Sequence, residues 1–190
     1  MSHAIDTAPA VLGIDPATPA GLQTLARLLL RVNRAMVGLG MIALLAASVV
    51  LTYSVVSRYV LKASTDWQDE TAVFCLVGAT FLCGAFVQSI RGHVGIEAVS
   101  TLLSPRLNRL RQVGVDAMCA LFCGFFAWKS WTLFHEAWVE HQTTSSSWAP
   151  PLAIPYGLMA LGMSLLTLQL LVQLSASLNR AANPNAGRLR

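Results

Sequence analysis

The sequence predicts an all-α integral membrane protein with four transmembrane helices, short amphipathic interfacial helices and both termini in the cytoplasm. Three observations support this fold class. The 190 residues are 55% hydrophobic and 12% charged, with a mean hydropathy of +0.58, whereas soluble domains carry about a quarter charged residues. Four apolar runs are long enough to cross a bilayer, which takes about 20 helical residues. Most of the cations lie on one side of these runs.

Four apolar segments are interpreted as membrane spans. Their approximate bounds are residues 35–60, 66–90, 108–139 and 152–178. The first is uncharged from Ala35 to Ser57, and it lies too far from the N-terminus and is too long for a signal peptide. The third contains Asp116 and Lys129. It is otherwise apolar, aromatic and free of proline, so it is long enough to span with tilt.

Lys and Arg residues predict the orientation, because cytoplasmic loops carry an excess of them. Ten of the 13 lie before the first span, between the second and third, or after the fourth: Arg27, Arg31, Arg34, Arg91, Arg106, Arg109, Arg111, Arg180, Arg188 and Arg190. Arg58 and Lys62 lie in the opposite loops, and Lys129 lies within the third span. All five Trp residues lie toward that opposite side, as expected of an aromatic belt at the outer interface. Both termini are therefore predicted to be cytoplasmic.

Residues 21–180 are predicted to form the membrane domain, between a disordered N-terminal tail (1–20) and a flexible C-terminal tail (181–190). At the start of this domain, residues 21–34 carry Arg and Leu on opposite faces of a helix. This segment either lies on the cytoplasmic leaflet or extends the first span. A second apolar pattern predicts a short interfacial helix at about 96–104, ended by Ser-Pro. The lipid bilayer is thus the first expected partner.

The stretch "SRYVLKASTDWQDE" between the first two spans holds a cluster of charges. Two cations, Arg58 and Lys62, are followed by three acids, Asp66, Asp69 and Glu70. Cations are disfavoured on the outer side, so we expect the acids to neutralise them, with Arg58 pairing with Glu70 or Asp69. Carboxylates in a first helical turn are also stabilised by the helix dipole. The cluster therefore predicts a helix start and an interhelical ion pair, not a catalytic centre.

Two ionisable residues lie inside the third span, where such residues are functional candidates. Asp116 lies near the cytoplasmic end, and a local ion pair with Arg109 or Arg111 is the favoured interpretation. Lys129 lies about 20 Å further along the helix, too far to pair with Asp116. It is expected either to extend outward past the neighbouring Trp side chains or to meet an acid on another helix or subunit.

Several kinds of site are not supported by the sequence. It has no Gly-rich phosphate loop and no basic cluster with interleaved aromatics, so neither nucleotide nor nucleic acid is an expected ligand. The four Cys residues lack metal-ligand spacing. Four residues that could bind a metal lie at the water-exposed outer end of the third span, where polar residues are expected without one: His135, Glu136, Glu140 and His141. No inverted repeat or chain of intramembrane acids, as secondary transporters generally need, is visible. We therefore predict no catalytic, cofactor or metal site, and no enzyme.

Three short motifs, in this order and spacing, carry a resemblance to a known family. With the four-span pattern, "RYV" (58–60), "WQDE" (67–70) and "RGHVGIE" (91–97) resemble the small membrane (Q) subunit of tripartite ATP-independent periplasmic (TRAP) transporters, the DctQ family. The resemblance covers about residues 30–180 and includes "IPYG" (154–157). Structural or interaction roles are expected for six residues of these motifs, Arg58, Trp67, Asp69, Glu70, Arg91 and His93, and for Lys129, which is a candidate because of its charge inside the third span.

The resemblance implies a small permease subunit in a bacterial inner membrane, working with a large TRAP permease subunit and a periplasmic substrate-binding protein. Transport in that family is Na⁺-coupled symport, and the substrates are typically organic acids. The large subunit would hold the substrate and ion sites, and the small one would be a scaffold beside it. Two alternatives stay open: a haem- or quinone-binding membrane anchor of a respiratory enzyme, or an autonomous small transporter.

Overall fold

The computed structural model describes residues 20–62, 66–90 and 105–182, and these residues form four long helices. Helix α1 is Ala20–Val56 and continues into a π-helical turn, Ser57–Leu61. Helices α2, α3 and α4 are Asp66–Ser89, Pro105–Val139 and Ala153–Ala182. The described residues contain no β-strand, only one isolated bridge between Thr143 and Pro151.

The structure confirms the predicted all-helical membrane architecture. Each of the four helices contains a segment long and apolar enough to cross a bilayer, with mean hydropathies of 2.3, 1.8, 1.3 and 1.7 in chain order. The orientation of the termini stays a prediction, and we use "outer" for the end of the bundle that holds the α1–α2 and α3–α4 connections. The predicted interfacial helix at about 96–104 lies outside the described residues, as do most of the two predicted tails.

The helices form two antiparallel hairpins whose second members pack together. Helix α1 packs along α2, α3 packs along α4, and α2 contacts α4, so that α1 and α3 lie at opposite edges. The α3–α4 loop is closed by backbone hydrogen bonds, among them one from the Leu152 N–H to the Gln142 carbonyl at 2.9 Å. The Trp131 indole N–H donates to the Ser164 hydroxyl at 3.0 Å across the same hairpin.

The amphipathic segment 21–34 is the first part of α1, because the helix runs without a break from Ala20. Of the two interpretations that the sequence left open, the extension of the first span is therefore the correct one. Its apolar side is not free to lie on a leaflet, since Ala26, Leu29 and Leu30 are buried against Val172 and Ala176 of α4. This contact holds the inner end of α1 against α4.

Small residues allow the helices to approach closely at two positions, most tightly against backbone at Gly162. A Cβ atom at Gly162 of α4 would lie 2.6 Å from the backbone carbonyl carbon of Phe81 in α2. At Gly40 of α1 it would lie 2.5 Å from the Cys83 Sγ atom. Close approach at small residues is a usual way for helices to associate in lipid, and the sequence indicates it through its many Gly and Ala residues.

Candidate functional site

The outer ends of α1 and α2 are joined by the ion pair that the charge cluster predicts. The Arg58 Nη2 atom lies 3.0 Å from the Asp69 Oδ2 atom. The Ser54 hydroxyl donates to the other carboxylate oxygen, Oδ1, at 3.2 Å. Asp69 therefore accepts one bond at each oxygen from α1. Both charged side chains remain more than half exposed, at 57% and 53%, so solvent screens their attraction.

The π-helical turn gives Arg58 its position at this junction. The turn covers Ser57–Leu61 and ends at Lys62, whose backbone is in the left-handed conformation with φ 51° and ψ 32°. The Lys62 N–H donates to the Ser57 carbonyl and closes the turn. A left-handed residue cannot continue the helix, so the chain leaves α1 here. Single π turns inserted in helices are often found at functional sites.

An aromatic contact lies beside the ion pair. The rings of Tyr53 in α1 and Trp67 in α2 have their centroids 6.3 Å apart, at an interplanar angle of 42°. Next to Trp67, the Gln68 side chain is buried, with 2% of its surface exposed. The predicted residue Trp67 thus packs at the same junction as Arg58 and Asp69 and supports the contact between the two helices.

Of the two acids expected to pair with Arg58, the structure shows the contact with Asp69, and a contact with Glu70 stays a prediction. Consecutive helix residues point about 100° apart, and Asp69 is the one directed at Ser54 and Arg58. Glu70 is half-buried, and its Oε2 atom accepts no hydrogen bond from the described residues. Two other predicted residues, Arg91 and His93, lie outside the described part of the chain.

A row of polar side chains on α4, Gln169, Gln173 and Ser177, runs through the inner half of the bundle. We call these three residues the polar row. Gln169 and Gln173 are each 1% exposed. Because the residues are spaced by four, they lie on one face of the helix. That face is the one that α4 presents to the other helices.

Each member of the polar row bonds to a different helix. Gln169 Oε1 accepts from the Asn33 amide of α1 at 3.2 Å. Gln173 makes two bonds with Gln88 of α2: its Oε1 accepts from Gln88 Nε2, and its Nε2 donates to the Gln88 carbonyl, both at 2.9 Å. The Ser177 hydroxyl lies 3.0 Å from the Asp116 Oδ2 atom of α3, to which it donates. The polar row therefore links α4 to all three other helices.

The polar row was missed at the level of the sequence, which led us to expect small-residue packing rather than polar contacts. A signal was present, since Gln169, Gln173 and Ser177 recur every four residues in an otherwise apolar span. Asn33, which is fully buried, gave no such signal because it lies beside Arg31 and Arg34. Interhelical hydrogen bonds of this kind contribute on average about 0.6 kcal/mol each in a membrane protein.

Asp116 has an interhelical partner rather than only local ones. Its side chain is buried, with 6% exposed, and bonds to Ser177 of α4. Arg111, one of the two local partners that we expected, instead donates to the Asn108 side chain at 2.8 Å. The pairing with Arg109 stays a prediction, because that side chain is not described. The carboxyl group of Asp116 thus contributes a hydrogen bond to the contact between α3 and α4.

Lys129 is exposed on α3 with its ammonium over an aromatic ring. The Nζ atom lies 5.2 Å from the centre of the Trp128 ring, a distance at which a cation is attracted to the ring face. This contact agrees with the expected extension past neighbouring Trp side chains. Lys129 and the Arg58–Asp69 pair lie on different helices and do not form one site.

The described residues offer little for binding a solute or a metal ion. No three His, Cys, Asp or Glu side chains among them are close enough to hold a metal ion. An open groove between the outer parts of α3 and α4 is lined almost entirely by apolar groups, such as Phe134, Trp138 and Leu161. Its lining gives no set of convergent polar groups to orient a charged ligand.

Comparison with known proteins gives the same family as the motifs. Residues 47–180 match the family described as "Tripartite ATP-independent periplasmic transporters, DctQ component". The chain is similar to the C4-dicarboxylate TRAP transporter small permease protein DctQ of Vibrio cholerae serotype O1, with 24% identity over 147 residues, 66% of this chain and 63% of the relative. No solved structure matches. The family match covers most of the chain, including α2, α3 and most of α4. The chain therefore belongs to the DctQ family and is a component of a transporter rather than an enzyme.

Proposed function

We propose that this chain is the small permease subunit that supports the large transport subunit of a TRAP transporter. In this proposal the complex takes up an organic acid delivered by a periplasmic binding protein and couples uptake to Na⁺. The chain lies in the bacterial inner membrane with both termini in the cytoplasm. The single observation that carries the supporting role is the polar row, whose side chains bond to the other three helices.

The polar row favours a static role over a transporting one. A transported solute needs polar groups that can release one another and bind it, whereas Gln173 and Gln88 bind each other through two bonds. Ser177 and Asp116 are likewise bonded across α3 and α4. A bundle held together in this way is suited to remain fixed while a neighbouring subunit moves.

The substrate class is supported by family membership and by a relative's name. The similar Vibrio cholerae protein is named for C4-dicarboxylates, and organic acids are the class that the sequence resemblance implies. A four-carbon dicarboxylate is therefore the first substrate to test for this chain.

Reconstitution in vesicles tests the proposed function. Proteoliposomes would contain this chain, the large permease subunit of the same organism and its binding protein, and uptake of labelled succinate and other organic acids bound by that protein would be measured. Uptake that needs all three proteins and an inward Na⁺ gradient is the expected result. Uptake by this chain alone would establish the autonomous transporter instead. A Soret absorbance band in the purified chain would establish the haem-binding anchor.

Labelling of single cysteines tests the orientation. In a variant without its four native Cys residues, Cys at Ser145 should react in whole cells with an impermeant thiol reagent, because the α3–α4 loop is placed in the periplasm. Cys at Ser104 should react only after the cells are opened. The opposite pattern would reverse the proposed topology.

A further inference from the structure

One face of α3 has no helix against it in the described structure. Helix α3 is an edge helix that packs along α4, and its other side is open. Three large apolar side chains on that side are mostly exposed: Met118 at 75%, Phe122 at 63% and Phe125 at 52%. In a bilayer this face meets either lipid or another protein.

The exposed face of α3 contains a line of residues with the spacing of a helix-packing seam. Six residues follow one another at intervals of four, three, four, three and four: Met118, Phe122, Phe125, Lys129, Thr132 and Glu136. We call this set the α3 seam. Its period of 3.5 residues is that of two helices packed with a left-handed crossing. It extends from Met118 to Glu136, about 27 Å of helix. This geometry suits a partner helix, and the charge at Lys129 favours protein over lipid as the cover of this face.

The charge of Lys129 indicates that a surface packed against the seam carries an anion. It lies within the span, six residues before His135, where the wet outer end of α3 begins, and is therefore about 9 Å inside that end. Charged side chains at such depth are rare and pair with other groups. Its contact with the Trp128 ring leaves the ammonium hydrogen-bond donors available. Glu136 of the same seam is about 10 Å away along the helix, so the complementary anion must come from outside α3.

We propose that the α3 seam is the surface on which a transmembrane helix of the large permease subunit docks, and that a carboxylate of that helix pairs with Lys129. This inference rests on the proposed function and adds the docking surface to it. A cation at one position of a helix seam fixes the register of the partner helix. The Lys129–carboxylate pair would therefore decide how the two subunits are aligned along the membrane normal.

A second copy of this chain fits the seam less well. Two copies in one membrane have the same orientation, and a twofold axis along the membrane normal would bring the same patch of each against the other. The two Lys129 ammonium groups would then lie at one depth, where like charges repel strongly in a medium of low dielectric constant. A helix with a carboxylate at that depth removes the repulsion and neutralises the charge.

Photo-crosslinking tests the surface. Benzoylphenylalanine would replace Phe122 or Phe125 in the seam, or Leu45, which is 68% exposed on the opposite edge helix α1, in cells that also produce the tagged large permease. Adducts with the large permease from Phe122 and Phe125 are the expected result. Adducts there with lipid or with a second copy, while the permease still co-purifies, would overturn the seam and leave the proposed function standing. If the permease does not co-purify with the unmodified chain, the proposed function itself fails.

Substitution of Lys129 tests the charge. Lys129→Met should lower recovery of the large permease about tenfold, equivalent to about 1.4 kcal/mol, whereas Lys129→Arg should retain most of it. The matched control is Lys62→Met, which removes an exposed cation outside the seam. The thermal stability of the isolated chain should be the same in all three variants, since Lys129 is exposed in it. Wild-type recovery with Lys129→Met would refute the pairing.

Discussion

Replacing Gln173 by methionine should loosen the bundle by a predictable amount. Gln173 is buried on α4 and makes two hydrogen bonds with Gln88 of α2, each 2.9 Å long. Methionine has a similar length and no amide, so Gln173→Met removes both bonds without leaving a cavity. Interhelical hydrogen bonds in membrane proteins average about 0.6 kcal/mol. The expected loss of stability is therefore about 1.2 kcal/mol, or about 2–5 °C in Tm for a chain of this size.

The two bonds can be separated by a second substitution. Gln88→Met removes the side-chain bond to Gln173 Oε1 but keeps the backbone carbonyl that Gln173 Nε2 contacts. It should cost about half as much, about 0.6 kcal/mol. The double variant should be no less stable than Gln173→Met alone, because that substitution already removes both bonds. Non-additivity of this kind is the sign of a direct interaction.

Thermal unfolding in a mild detergent, followed by tryptophan fluorescence, measures these effects. Leu171→Met is the matched control, because Leu171 lies on the same helix and is about half exposed. It should leave Tm nearly unchanged. An unchanged Tm in Gln173→Met would show that the two bonds do not stabilise the bundle, and the argument for a fixed scaffold would lose its main support. Additive losses in the double variant would show that the two glutamines act separately.

Two further predictions concern the outer ion pair and the α2–α4 contact. In a double-mutant cycle on Tm, Arg58→Ala and Asp69→Ala should show a coupling of about 1 kcal/mol or less, because both side chains are more than half exposed; strictly additive losses would mean that the two charges do not interact. Gly162→Ala should destabilise the chain by about 1–3 kcal/mol through overpacking against the Phe81 backbone, whereas Gly84→Ala, with open space around it, should not. Equal Tm values for the two glycine variants would contradict the close approach at Gly162.

The four helices could be predicted from the sequence because their signal is one of length and composition. In lipid, the backbone N–H and C=O groups of about 20 consecutive apolar residues find hydrogen-bond partners only within a helix. The apolar runs alone therefore predict the four helices. The π-helical turn at Ser57–Leu61 has no comparable signal, since it depends on how α1 meets α2. The same is true of the break at Lys62, where a residue other than glycine adopts the left-handed conformation.

The partners within the site were harder to predict, because they depend on the rotation of each helix about its axis. The sequence contains two possible partners for Arg58, Asp69 and Glu70. A rotation of α2 by about 100° about its axis would put one carboxylate in the place of the other. The packing of α2 against α1 turns Asp69 toward Arg58. For the polar row, the spacing of Gln169, Gln173 and Ser177 defines a face but not the helices that it meets. A polar stripe in an apolar span is nevertheless evidence that the face is covered by protein.

Helix α3 carries two ionisable residues in its apolar span, and their surroundings differ. Asp116 and Lys129 lie in one helix of the bundle, yet Asp116 is buried and bonded to Ser177 of α4, whereas Lys129 is exposed beside Trp128. The polar row shows that this chain covers polar groups in its apolar spans with neighbouring helices. In the docking proposal, a helix of the large permease subunit covers Lys129 in the same way. We therefore propose Lys129 as the position at which the complex continues beyond this chain.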